Sequence, residues 1–348
     1  MNKPSYKWYL SDLANVEKNG LKVFSCFACG GGSTMGYKLA GYDVIGANEI
    51  DPEMAWHYQK NHNPKHYYLE DIRTFKNRND LPPELYDLDI LDGSPPCSSF
   101  SMTGSREKGW GESKKFREGQ AEQTLDDLFF DFCDLAKKLQ PKIVVAENVK
   151  GMIQGNAKSY VKEVISRFQE AGYEVQLFLL NAATMGVPQR RERVFFICRR
   201  KDLGLKAISL FFNQKPISVE EAFDSIKDIN YPGRDKSDSS LVPYWHKCQP
   251  GESFSKYHPK GSAFSQIKIS KKRPAHTLTA NHDADAWHYE SPRSLSRPES
   301  CIIGAYPLDY EFQSDKISHY LVGMSVPPLM IYGIANEIKN QWFNKETK

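Results

Sequence analysis

The sequence predicts a doubly wound α/β fold that carries a second, smaller, loop-rich domain. Two observations point there. From Leu21 to about Arg200, short β-rich apolar runs alternate with helical patterns, which implies a mostly parallel sheet covered by helices on both faces. From about Lys201 to Lys271 the alternation stops. The chain there is rich in Gly, Pro and Ser, with scattered aromatics and more lysines than acids, as expected of a separate domain.

Each element can be justified in order. "LKVFSCF" is an apolar, β-rich run, and the glycines of "ACGGGSTMGYKLAG" give way to a helical pattern that stops at Gly41. "YDVIGANEID" reads as a second strand, and "PEMAWHYQKNH" as a helix with Pro52 in its first turn. "LDILDG" is a short buried strand and "QTLDDLFFDFCDLAKKLQ" a strongly amphipathic helix. "PKIVVAENV" is a further strand, and "AKSYVKEVISRFQEAG" a helix with a glycine stop. "YEVQLFLLNA" and "RRERVFFICRR" close this half as two strands, and the tail "SVPPLMIYGIANEIKNQWF" is helical with an apolar stripe.

Composition narrows the function classes. A formal net charge of +3 permits a nucleic-acid partner without arguing for one. No stretch approaches the roughly 18 uninterrupted apolar residues of a membrane span, and the first twenty residues lack a signal-peptide core, so an intracellular, cytoplasmic protein is expected. Seven scattered cysteines do not form a secreted disulfide framework. Cys26 and Cys29 have CxxC spacing, but no second ligand pair follows, and His57, His62 and His66 lack a ligand set around them. No metal is expected.

In a doubly wound sheet, ligands bind outside the carboxyl ends of the strands, and the unusual stretches of this chain fall there. The triple glycine offers close backbone approach and a helix N-terminus, compatible with NAD, FAD, S-adenosylmethionine or a merely tight turn. Glu49 is placed either to accept from ribose hydroxyls or to cap a helix, and Asp71 either to accept from an adenine amino group or to cap the helix before "RTF". In "GSPPCSSF" two prolines stiffen a loop that presents Cys97, a thiol that is either a nucleophile or inert filler. Glu147 in "ENVKG" serves as an acid if burial raises its pKa, or pairs with an arginine. Arg191 and Arg193, two apart in a strand, share a face and need an anionic or carbonyl partner.

In this order the segments resemble the DNA (cytosine-5) methyltransferase family over nearly the whole chain after the first twenty residues. "FACGGG" looks like the cofactor loop, "NEID" the ribose-binding acid, "EDI" the adenine contact, "SPPCS" the nucleophile motif, "ENV" the catalytic acid and "QRRER" the paired-arginine motif. "RPAHTL", "RSLSRPES" and "GMSVPP" look like the family's last three motifs. Three positions depart from the pattern: Cys29 replaces a glycine, Ser98 a glutamine, and Met324 an asparagine that helps position the cofactor.

The resemblance implies a Rossmann-like methyltransferase sheet with a smaller, loop-rich target-recognition domain. The implied boundaries are an extension at 1–20, a catalytic cofactor-binding domain at 21–200, a small domain at 201–315, and a segment at 316–348 that packs back on the catalytic domain. It implies S-adenosylmethionine as methyl donor and S-adenosylhomocysteine as product, with contacts from Phe27, Ala28, Gly30, Gly31, Gly32, Glu49, Ile50, Asp71, Ile72, Gly93, Pro95 and Ser325. Cys97 would attack carbon-6 of a flipped cytosine, Glu147 would relieve charge at ring nitrogen 3, and Arg193 with Arg191 would orient the base. The implied partners are double-stranded DNA and a cognate restriction endonuclease, with no membrane and a monomeric enzyme. The loop cations Arg106, Lys108, Lys114, Lys115 and Arg117 would meet phosphates. Three rival readings compete. Transfer-RNA methylation shares the chemistry, a non-catalytic DNA-binding regulatory homologue would lack the nucleophile or acid that this chain has, and nicotinamide redox chemistry leaves Cys97 and the arginines unexplained.

Overall fold

The computed structural model describes residues 4–96, 113–114, 123–124, 127–154 and 158–344. The chain forms two compact units. One comprises Met1–Asn15, Asn181–Arg191 and Phe212–Gly333, and the other Val16–Leu180, Glu192–Phe211 and Ile334–Lys348.

The larger unit is built on a seven-stranded sheet of β1 (Lys22–Cys26), β2 (Asp43–Glu49), β3 (His66–Leu69), β4 (Ile90–Gly93), β7 (Ile143–Val149), β8 (Tyr173–Asn181) and β9 (Glu192–Arg200). Two short strands, β5 (Ser113–Lys114) and β6 (Gln123–Thr124), pair antiparallel outside it. The spatial order is β3-β2-β1-β4-β7-β9-β8, with order reversing on either side of β1 and β4, as in a doubly wound fold. The pairs β1–β2, β1–β4, β2–β3 and β4–β7 are parallel, as the alternating pattern predicts. β9 runs antiparallel to β7. A single 3-10 turn, Ala182–Thr184, lies between β8 and β9 instead of a crossover helix, and a parallel strand would need that crossover. β3, a short edge strand with its side chains largely in contact with solvent, carries no apolar alternation that would predict it.

Helices α1 (Gly32–Leu39), α2 (Pro52–His62), α3 (Ile72–Asn77), α4 (Leu128–Leu139) and α5 (Lys158–Glu170) follow strands of this sheet. α4 and α5 place Phe129, Phe132, Val164 and Phe168 against Phe24, Val144 and Phe196 of the strands, and Phe75 of α3 stacks on Phe24. Burying each such aromatic contributes about 1.5–3 kcal/mol. The final segment of the chain returns to this unit. Tyr42 Oη donates to the Ala335 carbonyl at 2.8 Å, and Trp342 Nε1 to that of Lys206 at 2.9 Å.

The smaller unit holds helices α6 (Val219–Asp224), α7 (Val242–Lys247), α8 (His282–Asp285), α9 (Arg297–Gly304) and α10 (Asp315–Met324) and a two-stranded ribbon, β10 (Ile267–Lys268) with β11 (Ala286–Trp287). Trp245, Cys248, Phe254 and Trp287 form its aromatic cluster, capped by Lys268 at 3.9 Å from the Trp245 ring centroid. Its boundaries differ from those expected. The N-terminal segment belongs to it because Trp8 is buried and donates Nε1–H to the Ala305 carbonyl at 2.9 Å, an anchor nearly three hundred residues away in sequence. Residues 181–191 and α10 also belong to it, and α11 (Pro328–Ile338) crosses the division after Gly333. Asp315–Phe343 is apolar and long enough to cross a membrane by composition, but 72% of its apolar window is buried inside the protein and Ser325–Pro327 interrupts the helix.

Candidate active site

Register brings the predicted residues of the larger unit to one edge of the sheet. Cys26 pairs with Asn48 on one side and Gly93 on the other, and Gly93 pairs with Ala146. The loop after β1, Glu49 at the end of β2, the "SPP" loop after β4 and Glu147 near the end of β7 therefore follow one another along the carboxyl ends, where such sheets bind ligands.

The loop after β1 turns by left-handed residues at alternate positions: Phe27 (φ 54°), Cys29 (φ 48°) and Gly31 (φ 82°). Ala28 N–H donates to the Asn48 carbonyl at 3.2 Å. Gly31 is required twice over, because its φ is positive and an added Cβ would stand 2.2 Å from His62 Nε2. His62 is the buried prop of this loop. Its Nε2 lies 3.1 Å from the Gly30 carbonyl, which only accepts, so Nε2 carries the proton. Burial, reinforced by the Lys38 charge, lowers the His62 pKa to about 3 and keeps the ring neutral.

Glu49 is buried and answers the same loop. Its Oε2 accepts from Cys29 N–H at 2.7 Å, and Oε1 from Ile50 and Asp51 N–H at 2.8 and 3.0 Å. Burial raises its pKa against those three donors, which lower it. Asp51 then caps α2 through Glu53 N–H at 2.9 Å. Asp71 takes the capping role at α3, accepting from Arg73 N–H at 2.8 Å, and the Ile72 side chain lies in the core. Cys26 is a buried thiol whose pKa burial raises well above the usual value, away from the thiolate that redox exchange needs. No group of three or more described His, Cys, Asp or Glu residues is placed to hold a metal.

At the end of β4, an added Cβ on Gly93 would meet the Phe132 ring at 2.5 Å, so this glycine serves packing. Pro95 is buried, and its carbonyl accepts from Asn148 Nδ2 at 3.1 Å. Cys97 and Ser98 lie outside the described residues, as do the side chains of the loop cations from Arg106 to Arg117. Asn148, whose role the "ENV" motif conceals behind its glutamate, thus ties β7 to the loop two residues before Cys97. Asn148→Ala should strand that buried carbonyl, costing about 1–3 kcal/mol in denaturant unfolding and lowering kcat more than it raises KM.

Glu147 and Arg193 form a buried pair, Oε1 to Nε 2.9 Å, with the two side chains 11% and 13% exposed. Glu147 lies opposite Phe195 in the register, so Arg193 is its diagonal neighbour on the same face. Burial lowers the Arg193 pKa, and Glu147 raises it. Arg191 is held by other partners. It precedes β9, belongs to the smaller unit, and gives its two Nη groups to the carbonyls of Leu278 and Gly323, each at 2.9 Å. The expectation of two arginines on one strand face is thereby corrected. Ser325 is likewise in the smaller unit, its Oγ 2.6 Å from Tyr306 Oη, and Met324 is 44% exposed.

The family model for C-5 cytosine-specific DNA methylases matches residues 21–340. The chain belongs to that family. The methylase is 33% identical to the type II methyltransferase M.FnuDI of Fusobacterium nucleatum, over 94% of this chain and 96% of that one. It is 29% identical to M.NgoPII of Neisseria gonorrhoeae, over 92% and 96%. A solved structure titled as a DNA modification methyltransferase encoded within a prophage (E. coli) superposes with TM-score 0.71 at 21% identity, covering 92% of this chain and 99% of that one, a likeness of fold.

Proposed function

We propose that this methylase uses S-adenosylmethionine and a covalent Cys97 adduct to methylate cytosine in duplex DNA as the modification partner of a restriction endonuclease. The observation that carries the reading is the Glu147–Arg193 pair at the end of β7, next to the β4 loop that leads into Cys97 and that Asn148 holds.

The residues present suit the cofactor. The loop from Phe27 to Gly32 has no basic side chain for a pyrophosphate, and acids stand at the neighbouring strand ends, Glu49 buried and Asp71 half-buried, where hydroxyl and amino groups of a nucleoside would be received. Phe27, Ala28, Gly30, Glu49, Ile50 and Asp71 would hold it. Bound there, S-adenosylmethionine supplies the methyl group and leaves as S-adenosylhomocysteine.

Cytosine is unreachable in the stack and must be extruded. The Cys97 thiolate then forms a bond to carbon-6, and the ring's electron pair moves towards nitrogen 3, which Glu147 hydrogen-bonds or protonates as the charge develops. Arg193 holds the Glu147 carboxyl in place through Nε. Carbon-5 thereby becomes the nucleophilic atom. Once it is alkylated, loss of its proton returns the electron pair to the ring and expels Cys97.

Bisulfite sequencing of DNA from cells expressing the methylase should reveal newly protected cytosines in one sequence context. Labelled S-adenosylmethionine offered with duplex DNA and with transcribed transfer RNA should mark the DNA alone; label only in the RNA would overturn the reading.

A further inference from the structure

Buried carboxylates in this molecule have conventional partners, with one exception among the described residues. Glu147 has Arg193, Asp131 has Lys76 and Arg73, and Asp89 has Lys142, while Glu49 and Asp51 accept from backbone N–H groups. Asp92 is 2% exposed and is met only by hydroxyls: Ser25 Oγ donates to Oδ2 at 2.8 Å, Tyr37 Oη to Oδ1 at 3.2 Å, and Ser33 adds a further hydrogen bond. The groups that face it are Ser25 and Cys26 of β1, Ser33 and Tyr37 of α1, Tyr58 of α2 and Glu147 of β7, and none of them is a cation. Burial, with a smaller contribution from the Glu147 charge, raises its pKa to about 7 against the three hydroxyls, which lower it.

An acid buried without a cation destabilises a core that an apolar residue of similar size would suit better, so its presence points to a ligand-linked role. Its position suggests which ligand. Asp92 lies on β4, the strand that leads into Cys97, immediately before Gly93, and pairs in register with Ser25 of β1, the strand that leads into the glycine loop. The methyl donor is a sulfonium cation, and after transfer its sulfur is neutral. We propose that Asp92 is the internal counter-charge to that cation, releasing its proton to solvent when S-adenosylmethionine binds and regaining one when the neutral product occupies the site. This rests on the cofactor reading above. Asp92 acts through space as a positioning and charge-matching residue and takes no part in bond making.

The sign follows directly. A cation favours the ionised carboxyl, so binding of the donor weakens as pH falls through about 7, while binding of the neutral product does not follow this group. If the bound cation lowers the pKa by about one unit, roughly half a proton is released near pH 6.5, and affinity for the donor is roughly fivefold higher at pH 8 than at pH 6.

Titration calorimetry of the full-length methylase with S-adenosylmethionine and with S-adenosylhomocysteine, at pH 6.5 in two buffers of different ionisation enthalpy, tests this. Asp92→Asn is the control, because it keeps the shape and cannot titrate, and ligand amino groups cancel between the two proteins. Wild type should release roughly half a proton more than Asp92→Asn with the donor and the same number with the product. Equal proton counts for the two proteins with both ligands would overturn the proposal while leaving the cofactor reading intact; no binding heat for either ligand would overturn both. Should Asp92→Asn fail to fold, Ser25→Ala removes one hydroxyl partner and should move the midpoint of the donor's pH–affinity profile upward. An unmoved midpoint would overturn the proposal.

Discussion

Cys97→Ala is expected to abolish methyl transfer, with kcat lower by on the order of 10⁴-fold or more, while S-adenosylmethionine still binds. On the proposed route this sulfur is the group that adds to carbon-6 and raises the electron density at carbon-5, so its removal closes that route. The approach to this residue is stiff. Pro95 and Pro96 fix the backbone torsions, and Asn148 Nδ2 holds the Pro95 carbonyl at 3.1 Å, so alanine should leave the β4 loop in place. A duplex with 5-fluorocytosine at the target gives a second readout. With no proton at carbon-5 the adduct cannot collapse, so wild type should be trapped as a covalent complex and Cys97→Ala should not. Unchanged turnover by the alanine variant would sink the nucleophile assignment.

Glu147→Ala is expected to damage activity and stability together, and its two effects are separable. Activity should fall roughly 10²- to 10⁴-fold, the usual size of a lost proton-transfer group. Stability should fall by about 3–5 kcal/mol, because Arg193 would be left as a buried charge without its partner at 2.9 Å. Glu147→Gln keeps an oxygen for Arg193 Nε and should cost less stability, yet it cannot deliver a proton and should remain impaired in single turnover. A double variant, Glu147→Leu with Arg193→Met, should recover much of the lost stability in urea unfolding and none of the activity. If the double variant is as unstable as Glu147→Ala, the unpaired-charge account fails.

Much of this enzyme is visible in its residues alone, and the exceptions share one cause. Alternation of apolar runs with helical patterns is a local signal, and it determined the doubly wound sheet and the loop-rich region after Lys201. Motif order determined the family, and the sheet sets the strand ends that carry "FACGGG", "SPP" and "ENV" side by side. Glu147 was legible as an acid or as the partner of an arginine, and the register supplies that partner by placing Arg193 diagonally on the adjacent strand.

What only the tertiary structure decided depends on partners distant in sequence. A spacing of two predicts a shared face for Arg191 and Arg193, but Arg191 lies before β9 and spends its guanidinium on the carbonyls of Leu278 and Gly323. Trp8 gives no local sign that its indole is anchored by Ala305, nor His62 that its ring fills the place of a Gly31 side chain. The direction of β9 and the absence of a cation beside Asp92 among the described residues are likewise invisible in a linear pattern. Periodicity reports which side of an element is buried; it cannot report what the buried group meets, since that is settled by strand register and by packing between elements brought together only on folding.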